Sequence, residues 1–387
     1  MSARRIFVSA LVLAACAVAP VQAWAQVNLL GASGLGRRVL AIDARARGMG
    51  GPGVALHGGN LSAINPATAA RFATAGLWAT YTPERRDVEG EFANGTVTTE
   101  TVSVVRLVWP WGGRWAVAVS AGAFLDQNWG VQFIDTLRTS VEDIAFEETR
   151  TSDGGVSQVR LDLAGIATEG LSLGASFLFY TGQSRRKVKR VFEDDANFQS
   201  YNFSRAINYR GWGLALGAEW EPIPEVLVGG AFSYGVDMRI SDDTTDVGFS
   251  IPLPIAVNLG TSWQLTPELL VAMAFGWEGW SRVADELANA SAVDTWGIGG
   301  GVEYALIVGE NNRWLVRGGA HADQLPFEVR GGAIWERGFS LGAGAILAAG
   351  RARLDFTAEF GGRGDKSVND VEESYRRFSF GAAVFTR

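Results

Sequence analysis

The sequence predicts an all-β protein: an antiparallel transmembrane β-barrel of about 14 strands. Three observations support this fold class. Apolar and polar residues alternate through many segments, and short and long connections alternate along the chain. In addition, no apolar run reaches the roughly 20 residues that a membrane-spanning helix needs.

Alternation is plain in residues 351–360, where Leu354 and Phe356 are separated by Arg353 and Asp355. A period of two places successive side chains on opposite faces of a strand, so that one face meets lipid and the other meets the lumen. A soluble β-sandwich shows the same period, so alternation alone leaves that fold open.

The order of the connections decides against the sandwich. Short links containing Pro, Gly or Asn alternate without exception with long polar connections, which is the layout of periplasmic turns and extracellular loops. The predicted strands lie at about 74–83, 96–109, 114–124, 156–167, 170–181, 207–220, 225–237, 252–265, 268–278, 293–306, 313–322, 336–348, 351–361 and 374–386. The predicted long loops lie at about 84–95, 125–155, 182–206, 238–251, 279–292, 323–335 and 362–373.

The N-terminus is typical of a secretory signal peptide. Two arginines precede a short apolar run, and Ala23 and Ala25 form an A-x-A cleavage site. A competing interpretation places a lipoprotein cleavage site before Cys16. We therefore divide the chain into a signal peptide at 1–25, a hatch at 26–72 and a transmembrane barrel at 73–387.

Composition excludes several functions. Cleavage after Ala25 removes the only cysteine, and with it disulfides and thiolate chemistry. The same cleavage removes two arginines and lowers the net charge from -7 to -9, which is unfavourable for binding nucleic acid. Only His57 and His321 are present, so we expect no metal and no cofactor. Glycine is abundant, at 49 of 387 residues, and fits closely packed strands.

Six tryptophans lie beside the predicted short links, where the aromatic girdle of a membrane interface is expected. Ordinary packing at strand ends explains the same positions, so both interpretations stay open. The residues are Trp109, Trp111, Trp115, Trp220, Trp263 and Trp314.

The densest motif precedes the first predicted strand. Residues 44–56 read Ala-Arg-Ala-Arg-Gly-Met-Gly-Gly-Pro-Gly-Val-Ala-Leu, and residues 62–67 read Ser-Ala-Ile-Asn-Pro-Ala. A glycine-rich, turn-prone segment is suited to filling a lumen that would otherwise leak. Asn65 is expected to cap or pin a turn, and Pro66 biases it away from helical conformation.

This motif resembles the FadL/PorV superfamily of outer-membrane β-barrels, whose members begin with an R-x-x-G-M-G-G-x-x-V-A-like run and an N-P-A triplet. The strand count and residues 173–176 and 377–381 extend the resemblance over nearly all of the mature chain. Members often carry acidic residues between the two halves of the motif, whereas residues 57–60 here read His-Gly-Gly-Asn. The matching residues are Arg45, Gly48, Met49, Gly50, Gly51, Val54, Ala55, Asn65, Pro66 and Ala67.

The resemblance implies that the hatch lies in the lumen, with its N-P-A triplet beside a lateral or luminal route for hydrophobic molecules. Whether the hatch only plugs the barrel or also moves as a gate stays open. The binding or gating residues that the resemblance implies are Arg45, Gly48, Met49, Gly50, Gly51, Asn65, Pro66 and Ala67.

Charged residues at inward positions form a second candidate set. Pairing with the hatch and a track for substrate both explain such charges in a lumen. The expected luminal charges are Arg317, Arg351, Arg353, Asp355 and Glu359.

Four other signals are weaker. The basic run 185–190 lies in a predicted outer loop, where it would meet lipopolysaccharide phosphates or simply be solvated. Loop 125–155 mixes apolar residues with acids, as a ligand-entry groove or a packed rim would. The G-x-G-x-x-G match at 48–53 lacks the strand and helix of a dinucleotide site. Neither His57 nor His321 has a nucleophile signature beside it, so we expect no enzyme.

The resemblance also implies a function: an outer-membrane channel for passive uptake of hydrophobic small molecules such as long-chain fatty acids. The alternative is a PorV-like scaffold or shuttle for protein secretion. The expected partners are outer-membrane lipid and lipopolysaccharide, a hydrophobic ligand and, in the alternative, a secreted protein. We expect a monomer, integral to the cell outer membrane, with no nucleic-acid partner.

Overall fold

A computed structural model describes residues 36–90, 94–138, 143–193, 198–243, 248–286, 292–309, 311–329 and 331–386. The predicted signal peptide, Cys16 and the first part of the predicted hatch, residues 26–35, lie outside the described residues.

The described residues form one antiparallel sheet. Its strands, in chain order, are β1 Arg37–Arg38, β2 Gly76–Gly90, β3 Asn94–Trp111, β4 Trp115–Asp126, β5 Trp129–Arg138, β6 Asp143–Thr168, β7 Leu171–Phe192, β8 Tyr201–Ile223, β9 Val226–Gly235, β10 Asp237–Asp242, β11 Gly248–Pro252, β12 Ile255–Gln264, β13 Leu269–Gly279, β14 Thr295–Val308, β15 Arg313–Val329, β16 Gly332–Leu347, β17 Ala352–Gly364 and β18 Val371–Phe385.

Within the described ranges, fourteen of these strands close into a barrel. The wall runs β2, β3, β4, β6, β7, β8, β9 and then β12 to β18, and β18 pairs with β2 to close it. The shorter strands β5, β10 and β11 pair with β6, β8 and each other beyond the ends of the wall strands that they adjoin. The fold class and the number of strands are as the sequence predicts.

Side chains alternate between two environments, as predicted. On β17, Leu354 is 52% exposed whereas Arg353 is 4% exposed and Thr357 is fully buried. The same pattern along the wall gives an outer surface of Leu, Val, Phe and Trp and an inner surface of polar and small residues. A continuous exposed apolar belt is costly in water and suits contact with lipid.

The short connections lie at one end of the barrel, and the tryptophans predicted for the girdle lie there too. One of these links, Ala348 to Gly350, has positive φ at all three residues. The tryptophans are between 50% and 68% exposed on the outer surface, namely Trp109, Trp111, Trp115, Trp220, Trp263 and Trp314. This exposure is what an interfacial girdle requires.

The predicted long loops at 84–95, 125–155, 182–206, 238–251 and 323–335 are wrong in part, because much of their length is strand. β6, β7 and β8 run for 26, 22 and 23 residues, well beyond the apolar belt. Backbone hydrogen bonding continues there because each added cross-strand pair satisfies further N–H and C=O groups. The prediction was wrong because it assigned loops by polar composition, and these strand extensions are as polar as loops.

Helical structure is confined to short pieces: α1 Ala44–Gly48, the 3₁₀ helix η1 Pro66–Arg71, the 3₁₀ helix η2 Trp280–Glu286 and α2 Lys366–Asn369. Across the described ranges, no helix is both long and apolar enough to cross a membrane. The helix η2 turns inward, because Trp280 and Val283 join a buried cluster with Phe124 and Tyr180.

Candidate functional site

The described N-terminal segment, residues 36–75, lies inside the barrel. Its start pairs with β4. Asn65 donates a hydrogen bond to the carbonyl of Ala218 on β8, at 3.0 Å. Thr357 on β17 donates to the carbonyl of Ala44, at 2.7 Å. Because β4, β8 and β17 occupy different sides of the closed wall, the segment fills the space between them.

Inward-facing glycines let this segment lie directly against the wall. A Cβ at Gly319 would come within 2.1 Å of the Met49 carbonyl carbon, and one at Gly217 within 2.1 Å of Asn65 Oδ1. Neither approach is compatible with any side chain. Similar close approaches to the segment occur at Gly174, Gly229, Gly260, Gly299 and Gly301.

The first half of the motif forms α1 and the turn that ends it. Gly50 and Gly51 have φ of 78° and 99°, a region that favours glycine. The Gly51 N–H donates to the carbonyl of Ala46 at 2.8 Å, which closes the turn. Gly48 lies against Thr357, and Met49 is fully buried. These residues therefore shape and dock the segment.

Arg45 fixes α1 to the far wall. Its Nε and Nη2 donate to the two carboxylate oxygens of Glu303 on β14, at 2.9 and 2.8 Å, and Nη1 donates to the carbonyl of Gly59. Both side chains are almost fully buried. A bidentate pair of this kind is strong, and removing one partner leaves an uncompensated buried charge.

Four of the five predicted luminal charges lie in the lumen. Arg317 and Arg353 both contact Asp355, at 2.8 and 2.7 Å, and Arg317 Nε also donates to the carboxylate that binds Arg45. Glu359 is buried higher in the lumen. The prediction for Arg351 is wrong: this residue is exposed, because it belongs to the turn before β17 and donates to a carbonyl of that turn.

The N-P-A triplet lies against β7 and β8. Asn65 Oδ1 accepts from the Ala67 N–H at 3.0 Å, which caps η1, and Asn65 Nδ2 donates to the carbonyl of Val54 at 3.2 Å. Pro66 occupies the first position of η1, where a missing N–H has no cost. Asn65, Pro66 and Ala67 are all buried.

A second ion network in the upper lumen was not predicted. Glu84 accepts from Arg363 at 3.0 Å and from Arg377 at 2.6 Å, and both arginines also donate to Glu336. The four residues come from β2, β16, β17 and β18, so their sequence separation hides the network. The only sequence feature that could have indicated this network is the set of charged residues near the outer ends of these strands.

His321, Glu336 and Glu359 lie close enough together to share an ion. Each carboxylate is already bound, however: Glu336 by Arg363 and Arg377, and Glu359 by Arg377. Pairing with arginine therefore explains the cluster as a structural one.

A cavity of about 170 Å³ lies between the N-terminal segment and the upper wall. Ile42, Trp280 and Leu325 contribute apolar surface, and Arg47 and Asp323 contribute polar surface. Burial lowers the pKa of Arg47 to about 10, so the guanidinium stays charged at neutral pH. Arg47 Nε has no hydrogen-bond partner among the described residues.

The wall is interrupted where β4 leaves β3. The β3–β4 ladder ends at Val105 opposite Ala121, and from there outward the described part of β3 pairs with β2 alone. Beyond a bulge, β4 turns into the lumen: Phe124 and Leu125 are consecutive and both buried, which breaks the alternation. The bend is held by β1, which pairs with this end of β4.

The cavity reaches this interruption. Thr101 lies on β3 beyond the end of the β3–β4 ladder, where β2 is its only strand neighbour among the described residues, and it lines the cavity. Ser103 also lines the cavity, with its carbonyl covered by Gly122 of β4. Arg37 on β1 forms an ion pair with Asp126, at 3.4 Å, beside the bend. The N-terminal segment, the cavity and the bare strand edge therefore form one continuous site.

The molecule is thus a closed transmembrane barrel with a filled lumen and a lateral interruption of its wall. Solved structures similar to this chain in fold include a FadL homologue of Pseudomonas aeruginosa, at 16% identity and a TM-score of 0.57 over 90% of this chain and 99% of that chain. The toluene transporter TodX of Pseudomonas putida has 14% identity and a TM-score of 0.59, over 90% and 98%. The toluene transporter TbuX of Ralstonia pickettii has 16% identity and a TM-score of 0.57, over 90% and 99%.

The fold of this chain is therefore that of the FadL-type outer-membrane β-barrels, and the fold expected from the resemblance is confirmed. No protein-family model and no curated protein matches the chain. The identities of these structural neighbours establish the fold alone.

Proposed function

We propose that this protein is an outer-membrane channel for the passive uptake of hydrophobic small molecules. The observation that carries the proposal is the position of Thr101, which lines the cavity and also belongs to the part of β3 that pairs with β2 alone among the described residues. We propose that cargo in the cavity passes sideways beside Thr101, between β3 and the bent end of β4, into lipid. The fold shared with two toluene transporters supports an apolar cargo.

An apolar cluster lies in the upper lumen next to the cavity. Phe124, Tyr180, Trp280 and Val283 form one buried cluster, and the Phe124 and Tyr180 rings lie 4.6 Å apart, edge to face. Trp280 gives this cluster a surface on the cavity, and apolar surface in a cavity favours apolar molecules. The cluster contains the inward bend of β4, so it lies next to the lateral interruption.

Contacts in the lower lumen favour a lateral exit of the cargo through the wall over an axial exit along the barrel. Moving α1 away would break the buried Arg45–Glu303 pair, which costs about 3–5 kcal/mol for the loss of one partner. It would also undo the close docking against inward glycines such as Gly319. We therefore propose that the hatch acts as a fixed plug and that cargo leaves beside it.

Cavity size favours a small cargo. At about 170 Å³, the cavity is close to the ~150 Å³ that accommodates benzene and is smaller than the ~300 Å³ at which pockets for larger ligands begin. A single aromatic ring fits inside. A long-chain fatty acid, which the sequence-based resemblance suggested, would have to extend through the β3 edge.

The test is to block the β3 edge. Thr101→Trp fills the point where cavity and edge meet, and Val102→Trp places the same bulk on the outward face of the next residue, which is 44% exposed. We expect Thr101→Trp to lower uptake of labelled toluene by cells at least fivefold and Val102→Trp to leave it unchanged. Equal uptake in both variants, with normal heat-modifiable folding, would refute the lateral route.

The scaffold alternative makes a different prediction. A secretion scaffold should retain protein partners after cross-linking in whole membranes, whereas a channel should co-purify with small apolar molecules. Affinity purification followed by mass spectrometry of both the protein and the lipid fractions separates the two.

A further inference from the structure

Five exposed cations lie on the outward face of the barrel beyond the apolar belt, two of them next to the belt and three farther out along β7. Arg210 precedes Trp212 on β8 by two residues and lies about 7 Å farther from the short-turn end. On β7 the apolar belt ends at Phe179. Farther along the same outward face of β7, three alternate positions are basic. The five cations are Arg185, Lys187, Lys189, Arg210 and Arg239.

Two of these cations are placed directly opposite each other. Arg210 on β8 pairs in register with Arg239 on β10, and both side chains are exposed. Like charges in this position destabilise a sheet. No carboxylate of the described residues lies within 4.0 Å of either guanidinium, although Asp237 is on the same face two residues from Arg239.

A second cross-strand arginine pair in the same barrel has a carboxylate beside it, which the Arg210–Arg239 pair does not have among the described residues. Arg85 on β2 pairs in register with Arg376 on β18, and both are exposed. Asp87 lies 3.6 Å from Arg85 and 4.0 Å from Arg376, so one carboxylate serves both guanidinium groups. The Arg210–Arg239 pair has the same geometry without such an anion in the described chain.

The β7 stripe extends the positive surface outward. Arg185, Lys187 and Lys189 occupy alternate positions and share one face over about 13 Å. Asp153 on β6 lies opposite Arg185, whereas both lysines lie opposite threonines of β6. Asp153 and Glu147 on β6 and Asp237 on β10 supply three carboxylates on this outward surface against the five cations, which leaves an excess of two positive charges beyond the apolar belt.

We propose that this surface binds the phosphate groups of a phosphorylated glycolipid of the outer leaflet, of the lipid A type. Arg210 and Arg239 would share one phosphate, because paired guanidinium groups suit the geometry of phosphate oxygens. The acyl chains would lie on the apolar belt below, against Trp212 and Tyr234. Arg185 and the two lysines would contact phosphate on the sugar core above.

The experiment uses the full-length mature protein in detergent with bis-phosphorylated lipid A as the probe. Binding is measured by native mass spectrometry for the wild type, for Arg210→Gln with Arg239→Gln, and for the control Arg85→Gln with Arg376→Gln. Monophosphorylated lipid A and phosphatidylglycerol provide the comparison ligands. Lys187→Gln with Lys189→Gln tests the upper stripe independently, should the first variant fail the heat-modifiability test of folding.

We expect the Arg210/Arg239 variant to bind lipid A roughly 10- to 30-fold more weakly, and the control variant to bind as the wild type does. The Lys187/Lys189 variant should lose affinity by a smaller factor. Removing one phosphate from the probe should weaken wild-type binding and narrow the difference between variants. Equal loss in both arginine variants, unchanged binding in the lysine variant, or equal affinity for phosphatidylglycerol would overturn the proposal.

Discussion

The N-terminal segment contacts two sides of the barrel in different ways. One side consists of β14 to β17, and the other of β3 to β5. On the first side the strand ladders are continuous, and the wall holds α1 through Glu303, Thr357 and inward glycines. On the second side the ladder is broken, and β1 pairs with a strand that has bent inward. The lumen is therefore closed on the side of β14 to β17 and opens toward the interrupted wall on the side of β3 and β4.

The largest effect should come from breaking the seal. Arg45→Ala removes a bidentate buried pair and leaves Glu303 with Arg317 alone, so α1 should loosen. We expect permeability to hydrophilic antibiotics to rise about tenfold or more. Susceptibility assays and planar-bilayer conductance measure this change.

The control for that prediction is Arg351→Ala, which removes an arginine from an exposed turn. It should leave both permeability and conductance at the wild-type level. Equal leakage in the two variants would mean that the Arg45 pair does not seal the barrel.

A smaller effect is expected from crowding the docked segment. A Cβ at Gly319 would meet the Met49 backbone at 2.1 Å, whereas a Cβ at Gly318 has its nearest neighbours at 3.9 Å. Gly319→Ala should therefore destabilise docking by about 1–3 kcal/mol, and Gly318→Ala should not. Limited trypsin digestion should cleave after Arg45 or Arg47 only in the Gly319 variant; protection in both would contradict the close contact.

Asn65→Ala tests whether the segment is a plug or a gate. The change removes the cap of η1 and two hydrogen bonds to wall and segment carbonyls, at a cost of about 1–3 kcal/mol. A fixed plug predicts a lower unfolding temperature with toluene uptake within about twofold of wild type. A several-fold change in uptake, with folding retained, would instead identify a moving gate.

The smallest effect should be a pH dependence from His57. Burial lowers the pKa of His57 below its ordinary 6.5, and the ring contacts Ser262 Oγ at 2.9 Å. Because the pKa of His57 is lowered in the folded protein, protonation of the ring opposes docking of the N-terminal segment. The stability that neutral His57 contributes is therefore fully present above about pH 6.5 and is lost as the pH falls. His57→Gln should remove that dependence when unfolding is followed from pH 7.5 to 5; an unchanged slope would exclude His57 as its source.

The sequence predicted the wall well, because a strand buried on one face and exposed to lipid on the other must alternate. It did not predict where the strands end, since polar residues of β6 and β7 form hydrogen-bonded ladders beyond the membrane. The position of Arg351 was wrong for a related reason. Its parity matches Arg353, but the turn ends one residue later than expected.

The site was harder to predict than the wall. The motif located Arg45 and Asn65, but their partners Glu303 and Ala218 are set by the closed barrel. The inward bend of β4 gives only a weak signal, because Phe124 and Leu125 resemble the end of an apolar strand. The abundance of glycine had a physical cause that appears only when Gly217 and Gly319 are seen against the N-terminal segment.

The lateral route from the cavity is the central claim, and a structure with a heavy-atom cargo tests it most directly. Crystals of the wild-type protein soaked with bromobenzene should give an anomalous bromine peak in the cavity beside Thr101 and Ser103. Thr101→Trp crystals should lose that peak. A peak below α1, between Arg45 and the short-turn end, would contradict the lateral route and establish an axial one.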